Sequence, residues 1–157
     1  MECEIETLLQ IVKDAKRNNK IIVFSNGCFD ILHSGHCKYL SEAKKLGDIL
    51  IIGLNTDKSV KKLKGNSRPI NEQKDRAYVL SSLKSVDYVV YFDEETPADI
   101  INKIIPDVLV KGSDYEIENI VGANTVINNG GKVVTISLVE RKSTSAIIDK
   151  MQYVQVK

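Results

Sequence analysis

Apolar and polar residues are arranged along the chain in two patterns that alternate. Five short runs are apolar almost throughout, which is typical of strands buried on both faces of a parallel sheet. The segments between most of them carry apolar residues three and four positions apart, which predicts amphipathic helices. The predicted strands are residues 21–25, 48–55, 87–92, 106–112 and 132–138.

Helical patterns flank these strands, and one connection lacks such a pattern. The predicted helices are residues 4–18, 37–47, 75–86, 119–131 and 143–154, with a further helix opened by Thr96-Pro97. Gly47 is a C-cap signal, while Thr96 and Pro97 predict an N-cap and a first helical position. Residues 56–72 are polar, contain glycine and proline, and predict a loop.

The alternation of strands and helices predicts one α/β domain with a Rossmann-like, doubly wound parallel sheet of five strands. No internal repeat or linker divides residues 1–157. We therefore expect a single domain, with an N-terminal helix in 1–19 and a core in 20–150. Sheets of this kind bind ligands at the carboxyl ends of the strands, where the strand order reverses.

Composition narrows the class of protein further. Of 157 residues, 43% are hydrophobic and 27% are charged, which is ordinary for a globular domain. A formal net charge of +1 gives no global field for nucleic acid or an anionic membrane, and no apolar run is long enough to span a bilayer. The acidic start MECEIETLLQ is unlike a signal peptide, and three cysteines without C-x-x-C spacing fit a reducing compartment. We expect a cytoplasmic protein that binds neither nucleic acid nor membrane.

Both histidines of the chain lie in one turn, NGCFDILHSGH, between the first predicted strand and the next helix. A helix N-terminus at this place offers N–H groups and a partial positive charge, which favour phosphate. Gly27 and Gly35 allow the backbone to approach a ligand closely. Two imidazoles three residues apart around a tight turn can face the same phosphate. The turn therefore predicts a phosphate site, although the chain has neither G-x-G-x-x-G nor a Walker A sequence.

Two alternatives for this turn remain open. The histidines could be neighbours by chance. A zinc site is the other alternative, because Cys28, His33, His36 and Cys37 are suitable ligand types. However, His36 and Cys37 are adjacent, and the spacing matches none of the usual zinc patterns.

The stretch GCFDILHSGH resembles the G-x-F-D-x-L-H-x-G-H signature of the cytidylyltransferase-like nucleotidyltransferases. LKGNSRPIN, DRAYVLSSLKSVDYVVYFDEETP and IIPDVLVKGSDY extend the resemblance toward the branch that makes ADP-heptose from heptose 1-phosphate and ATP. In many bacteria that domain is fused behind a sugar kinase. The resemblance covers about residues 20–150, and Met1 just ahead of them favours a stand-alone form.

The resemblance implies a role for each of several residues. The implied catalytic residues are His33, His36 and Lys64. The implied nucleotide-binding residues are Gly27, Cys28, Phe29, Gly35, Lys111, Gly112, Asp114, Ser143, Thr144 and Ser145. The implied acceptor-binding residues are Asp30, Arg68 and Arg76. No residue is implied as a ligand to a resident metal ion.

Several of these residues also have a structural interpretation. Lys64 belongs to a basic segment that could simply be solvated. Arg76 could form a surface ion pair with Asp75 or Glu72 at a helix start. Asp30 could assist magnesium or cap its turn, and we favour the cap.

The later motifs leave similar alternatives. Asp114 could shape a turn through an Asx hydrogen bond, and Ser113 stands where the family usually has glycine. A Ser/Thr run at a helix start is a capping signal, so Ser143 or Thr144 should cap whatever the function. The family pattern there is G-x-S-T-T, from which Arg141 and Ser145 depart.

The resemblance also implies ATP and a sugar 1-phosphate as substrates, Mg²⁺ accompanying ATP, and a homodimer. It places the product in the biosynthesis of lipopolysaccharide core or another surface glycan. Two other functions remain open. One is a cytidylyltransferase that acts on glycerol 3-phosphate or a similar alcohol phosphate, and the other is a nucleotide-binding module without activity.

Overall fold

Five parallel strands form the centre of the molecule, and helices cover both faces of their sheet. The computed structural model describes residues 1–113, 116–137 and 143–154. The strands are β1 (Ile22–Gly27), β2 (Ile49–Asn55), β3 (Tyr88–Phe92), β4 (Val108–Gly112) and β5 (Lys132–Ile136). The helices are α1 (Ile5–Arg17), α2 (Ser34–Lys44), α3 (Asp57–Lys64), α4 (Gln73–Ser81), α5 (Ala98–Ile104), α6 (Ala123–Asn128) and α7 (Thr144–Val154).

The strand order is β3-β2-β1-β4-β5, and every pairing is parallel. This confirms the predicted doubly wound α/β fold. The order reverses between β1 and β4, because the chain first builds outward from β1 to β3 and then returns to the other side. The connections after β1 and β4 therefore separate, and a crevice opens at their carboxyl ends.

Successive side chains of a strand point to opposite faces of the sheet, and they pack into two apolar layers, one on each face. Phe24 of β1 packs in the layer with α1, α5 and α6, whereas Val23 packs in the layer with α2 and α4. Both residues are fully buried. Strands β1, β2 and β4 are buried at most positions, so their sequence pattern is a nearly continuous apolar run rather than an alternating one. The edge strand β5 is exposed at Lys132 and half-buried at its other positions.

The expectation of a loop over 56–72 was wrong in its first half, which forms α3. The side chain of Thr56 caps this helix by accepting from the N–H of Ser59 at 3.2 Å. Val60 is the one hydrophobic residue of α3 that is buried. A single buried apolar residue leaves no amphipathic pattern for the sequence to show, although the capping threonine was visible.

Several predicted boundaries were also wrong, among them the end of α4, which lies at Ser81 rather than at residue 86. Helix α2 ends at Lys44, and Gly47 instead lies where a Cβ would come within 2.7 Å of the side chains of Val23 and Ile21. Helix α5 has Pro97 rather than Thr96 at its N-cap. The helix expected over 119–131 begins only at α6, because Gly122 takes a left-handed φ of +85°.

In the parts of the chain that the structure describes, every helix is too short or too polar to cross a membrane.

Candidate functional site

A cleft of about 660 Å³ opens at the carboxyl ends of the central strands. Most of the residues singled out from the sequence line it, although they come from distant parts of the chain. Those residues are Gly27, Cys28, Phe29, Asp30, His33, Gly35, His36, Lys64, Lys111, Gly112, Ser143, Thr144 and Ser145. The fold therefore brings together the histidine turn, the basic helix, the end of β4 and the start of α7.

The histidine turn is shaped by an aromatic ring. Phe29 adopts a left-handed φ of +44°, and its ring lies so close to Gly27 that a Cβ there would be 3.0 Å from it. The rings of Phe29 and His36 pack in an edge-to-face arrangement, with centroids 5.2 Å apart and planes inclined by 63°. His36 in turn stacks on His33 at 3.9 Å and 20°. The two imidazoles are thus held as a pair at one wall of the cleft.

The electrostatics of the pair favour the neutral form of His36. Burial lowers the pKa of His36 to about 4, and the charges of His33 and Lys64 add to the effect. The Nδ1 atom of His36 is buried and meets no hydrogen-bond partner among the described residues. An anion beside the pair would reverse this balance, because negative charge stabilises imidazolium.

Two helix N-termini converge on the cleft. Helix α2 starts at Ser34 without a side-chain cap, so its first N–H groups have no partner within the helix. Helix α7 starts at Thr144, and Ser143 Oγ accepts from the N–H of Ala146 at 3.1 Å. This confirms the predicted capping role for Ser143. The Thr144 hydroxyl donates to the carbonyl of Ile31 at 3.3 Å, which ties α7 to the histidine turn.

Asp30 fastens the segment after α3 to the same turn. Its carboxylate accepts from Arg68 Nε at 2.5 Å, from Ile70 N–H at 2.8 Å and from Asn71 N–H at 2.9 Å. Burial raises the pKa of the Asp30 carboxyl, but the hydrogen bonds from Asn71, Ile70 and Arg68 outweigh it and hold the pKa below its usual value. The contacts fit the preferred capping role, and they leave the carboxylate fully engaged.

Arg76 lies beneath the cleft rather than in it. Its side chain is fully buried and donates to the carbonyls of Asn71, Cys28 and Asn55 at 3.0, 2.6 and 2.9 Å. It also pairs with Asp57 at 2.8 Å. The surface ion pair considered for this arginine is therefore wrong. The guanidinium instead joins the ends of β1 and β2 to the segment before α4.

Cys28 faces the cleft as a neutral thiol. Burial is the largest influence and raises its pKa, despite the opposing charges of Lys64 and Arg76. Its Sγ lies 3.8 Å from Asn55 Oδ1. Across the described chain no three His, Cys, Asp or Glu side chains form a group able to hold a metal ion, so the geometry gives no support to the zinc alternative.

Some predicted residues lie elsewhere. Arg68 and Arg76 do not line the cleft, although Arg68 Nη2 is buried without a hydrogen-bond partner among the described residues. Asp114 lies outside the described residues, as does Arg141. The roles assigned to all of these residues stay predictions.

The remaining cleft residues were assigned no role in the site from the sequence, although Thr96 and Pro97 were singled out as a helix start. They are Asn26, Tyr39, Asn55, Leu63, Glu95, Thr96, Pro97, Asn119, Ile120 and Val121. One signal was available, since Asn26 and Asn55 lie at the carboxyl ends of β1 and β2, and Glu95 follows β3 closely. Tyr39 gave no signal, because its place depends on a hydrogen bond with Ser25 at 2.8 Å that only the tertiary structure creates.

The amino-acid sequence is similar to those of several curated proteins. The chain is 53% identical over 95% of its length to the bifunctional protein HldE of Nitratiruptor sp.. It is 54% identical over 94% of its length to the bifunctional protein HldE of Wolinella succinogenes. It spans about a third of the length of these curated relatives, 31% and 30% respectively.

Solved structures show the same fold. A lipopolysaccharide core biosynthesis protein from Thermoplasma volcanium superposes with a TM-score of 0.60 at 29% identity, covering 78% of this chain and 99% of that one. A pantoate-beta-alanine ligase from Francisella tularensis, complexed with beta-gamma ATP and beta-alanine, gives 0.61 at 14% identity, covering 92% and 69%. The second likeness concerns the fold alone. A family model described as cytidylyltransferase-like matches residues 24–150, which include every cleft-lining residue named above, and the chain therefore belongs to the cytidylyltransferase-like family.

Proposed function

We propose that this chain is an adenylyltransferase that joins the AMP moiety of ATP to D-glycero-D-manno-heptose 1-phosphate and releases pyrophosphate. One observation carries the proposal: the stacked pair of His33 and His36 lies at the N-terminus of α2, and the N-terminus of α7 lines the same cleft. That arrangement suits a polyphosphate, because N–H groups, hydroxyls and imidazoles all present donors to it.

The choice of acceptor is supported by similarity. The segments LKGNSRPIN and KGSDY resemble the heptose branch of the family, and about half of the residues are identical to those of proteins named bifunctional. A chain that spans a third of such a protein fits one of two activities. The Thermoplasma neighbour is named for lipopolysaccharide core biosynthesis, which fits an activated heptose as the product.

The reaction needs no general base. An oxygen of the sugar phosphate, already an anion, attacks the α-phosphorus of ATP in line, and the bond from that phosphorus to the bridging oxygen breaks. The electron pair leaves with pyrophosphate. The protein must position the two substrates and stabilise the charge on the phosphates.

His36 and Lys64 are placed to stabilise that charge. In the free protein His36 is neutral and can donate one hydrogen bond to a phosphate oxygen. Approach of the triphosphate raises its pKa, so the imidazole becomes a stronger donor as negative charge accumulates. Lys64 ends α3, lines the cleft and supplies a cation.

Magnesium enters as part of the ATP complex. Among the described residues the cleft carboxylates are Asp30 and Glu95, and the oxygens of Asp30 already accept three hydrogen bonds. The phosphates and water would therefore supply most of the ligands, as is usual for this ion. The implied homodimer and cytoplasmic location stay predictions, the first of which sedimentation at micromolar concentration would test.

The test is pyrophosphate release from the purified chain with magnesium, heptose 1-phosphate and each nucleoside triphosphate in turn. We expect release with ATP only, and we expect His33→Ala to lower the rate by about 10²–10³-fold. Lys64→Met should lower it as well, whereas Lys62→Met, at a neighbouring position outside the cleft, should not. Release only with CTP and glycerol 3-phosphate would replace this proposal by the cytidylyltransferase alternative, and silence with every pair would favour a binding module.

A further inference from the structure

Among the described residues, the cleft contains one carboxylate that the protein leaves available. Asp30 and Glu95 are the carboxylates that these residues place in the cleft, and Asp30 already accepts hydrogen bonds from Arg68 and from the backbone of Ile70 and Asn71. Glu95 is exposed and, within the described part of the chain, takes part in no ion pair. A carboxylate repels phosphate, so its presence marks a part of the cleft that receives something else.

The turn that carries Glu95 is fixed firmly to α3. The carbonyl of Glu94 accepts from the Ser59 hydroxyl at 3.0 Å, and that hydroxyl accepts from Asn55 Nδ2 at 2.9 Å. Asp93 accepts from the Thr56 hydroxyl at 2.5 Å. Ser59 and Asn55 are buried. The backbone on the N-terminal side of Glu95 is therefore anchored to buried groups at the end of β2.

Helix α3 also carries Lys64, a cation that lines the cleft and can bind phosphate. Lys64 lies five residues after Ser59 on α3, which is roughly 8 Å along the helix axis. Glu95 follows the residue bonded to Ser59, and Lys64 reaches the cleft from the other end of that helix. A ligand held between them would present a phosphate at one end and hydrogen-bond donors at the other.

The nucleotide is expected on the other side of the cleft. Lys111 and Gly112 end β4, and Ser143–Ser145 open α7, whereas Glu95 follows β3. Strands β3 and β4 are three strand spacings apart in the sheet, which is roughly 14 Å. Glu95 is therefore placed for the acceptor rather than for the ribose of ATP.

We propose that Glu95 determines acceptor specificity by accepting hydrogen bonds from the hydroxyl groups of a polyhydroxylated sugar phosphate. This inference rests on the proposed function, which supplies the sugar 1-phosphate. A carboxylate has two oxygens and about four acceptor positions, so it can bind two neighbouring hydroxyls at once. An acceptor without those hydroxyls leaves the carboxylate unpaired and binds more weakly.

The experiment compares Glu95→Gln with Glu94→Gln. Glu94 is an adjacent exposed glutamate that does not line the cleft, and its carboxylate accepts from the N–H of Asp93. In steady-state assays we expect Glu95→Gln to raise KM for heptose 1-phosphate by roughly ten- to a hundredfold, because hydrogen bonds to a charged group are involved. KM for ATP should change less than about twofold, and Glu94→Gln should change neither value. With an acceptor that lacks the contacted hydroxyl, the effect of Glu95→Gln should disappear.

Equal increases in both KM values would place Glu95 at the nucleotide and overturn the inference, as would an unchanged acceptor KM. If the wild-type chain turns over no ATP, the proposed function fails separately. Calorimetry with heptose 1-phosphate and a nonhydrolysable α,β-methylene ATP then decides the role of Glu95. Weaker acceptor binding by Glu95→Gln than by the wild type would support it, and equal binding or none by the wild type would overturn it.

Discussion

Replacing Arg76 with methionine should lower the free energy of unfolding by about 3 kcal/mol. The change keeps an unbranched, flexible side chain but removes the guanidinium, and with it every donor, from a site that is fully buried. Breaking a buried ion pair by removing one partner typically costs about 3–5 kcal/mol. The Asp57 side chain is 30% exposed and can regain water, so the lower end of that range applies.

Urea unfolding measures this loss directly. With a slope near 2 kcal/mol per molar urea, a loss of about 3 kcal/mol moves the midpoint down by roughly 1.5 M. Arg17→Met is the matched control, because that arginine is 65% exposed and its contact with Asp14 is 3.4 Å long. It should change stability by less than about 0.5 kcal/mol.

A double-mutant cycle with Asp57→Asn separates the ion pair from the three carbonyl contacts. If the pair contributes, the double variant should lose less than the sum of the single variants, by at least about 1 kcal/mol. A loss of less than about 1 kcal/mol in the free energy of unfolding for Arg76→Met would refute the view that this arginine holds the ends of β1 and β2 to the segment before α4. Losses in the two single variants that simply add up in the double variant would refute it as well.

Two further predictions concern the wall of the cleft. Because burial lowers the folded-state pKa of His36 to about 4, the unfolded chain binds its proton first as the pH falls from about 6.5. The folded state should therefore lose no stability through this residue above about pH 6.5, and it should lose stability progressively as the pH falls toward 4. The urea midpoint of the wild type should be lower at pH 5 than at pH 7, and His36→Gln should reduce that difference. A difference that stays the same in His36→Gln would contradict the lowered pKa of His36. Asp30→Asn removes the charge that holds Ile70 and Asn71, so the amides of those two residues should exchange hydrogen roughly ten- to a hundredfold faster, while amides of α1 keep their rates; unchanged protection would show that the segment is held by other contacts.

Most of the fold could be predicted from the sequence, because burial of apolar strands is its main stabilising effect and leaves a pattern in consecutive residues. A strand buried on both faces must be apolar at every position, and five such runs separated mostly by helical patterns leave few arrangements other than a doubly wound sheet. The exception was α3, whose helix is stabilised by the Thr56 cap and by contacts of Ser59 with the β3 end rather than by an apolar stripe. The cap is local and was visible in the sequence, but the contact of Ser59 with Glu94 exists only after the two segments meet.

The candidate site was readable only in part. His33 and His36 were identifiable because they sit at a strand end and a helix start, where the backbone itself favours phosphate. Arg76 shows the limit of that reasoning, since its sequence neighbours Glu72 and Asp75 suggested a surface pair. In the fold it binds Asp57 and three carbonyl groups instead.

The sequence by itself determined the layered α/β fold, the place of the histidine turn and the resemblance to a nucleotidyltransferase family. Each depends on residues that are close in the chain or on a repeated apolar pattern. The tertiary structure alone decided which polar groups form hydrogen bonds within the protein and which are left to face the cleft. That division separates Asp30 from Glu95, because whether a carboxylate is available depends on the donors that distant segments bring to it.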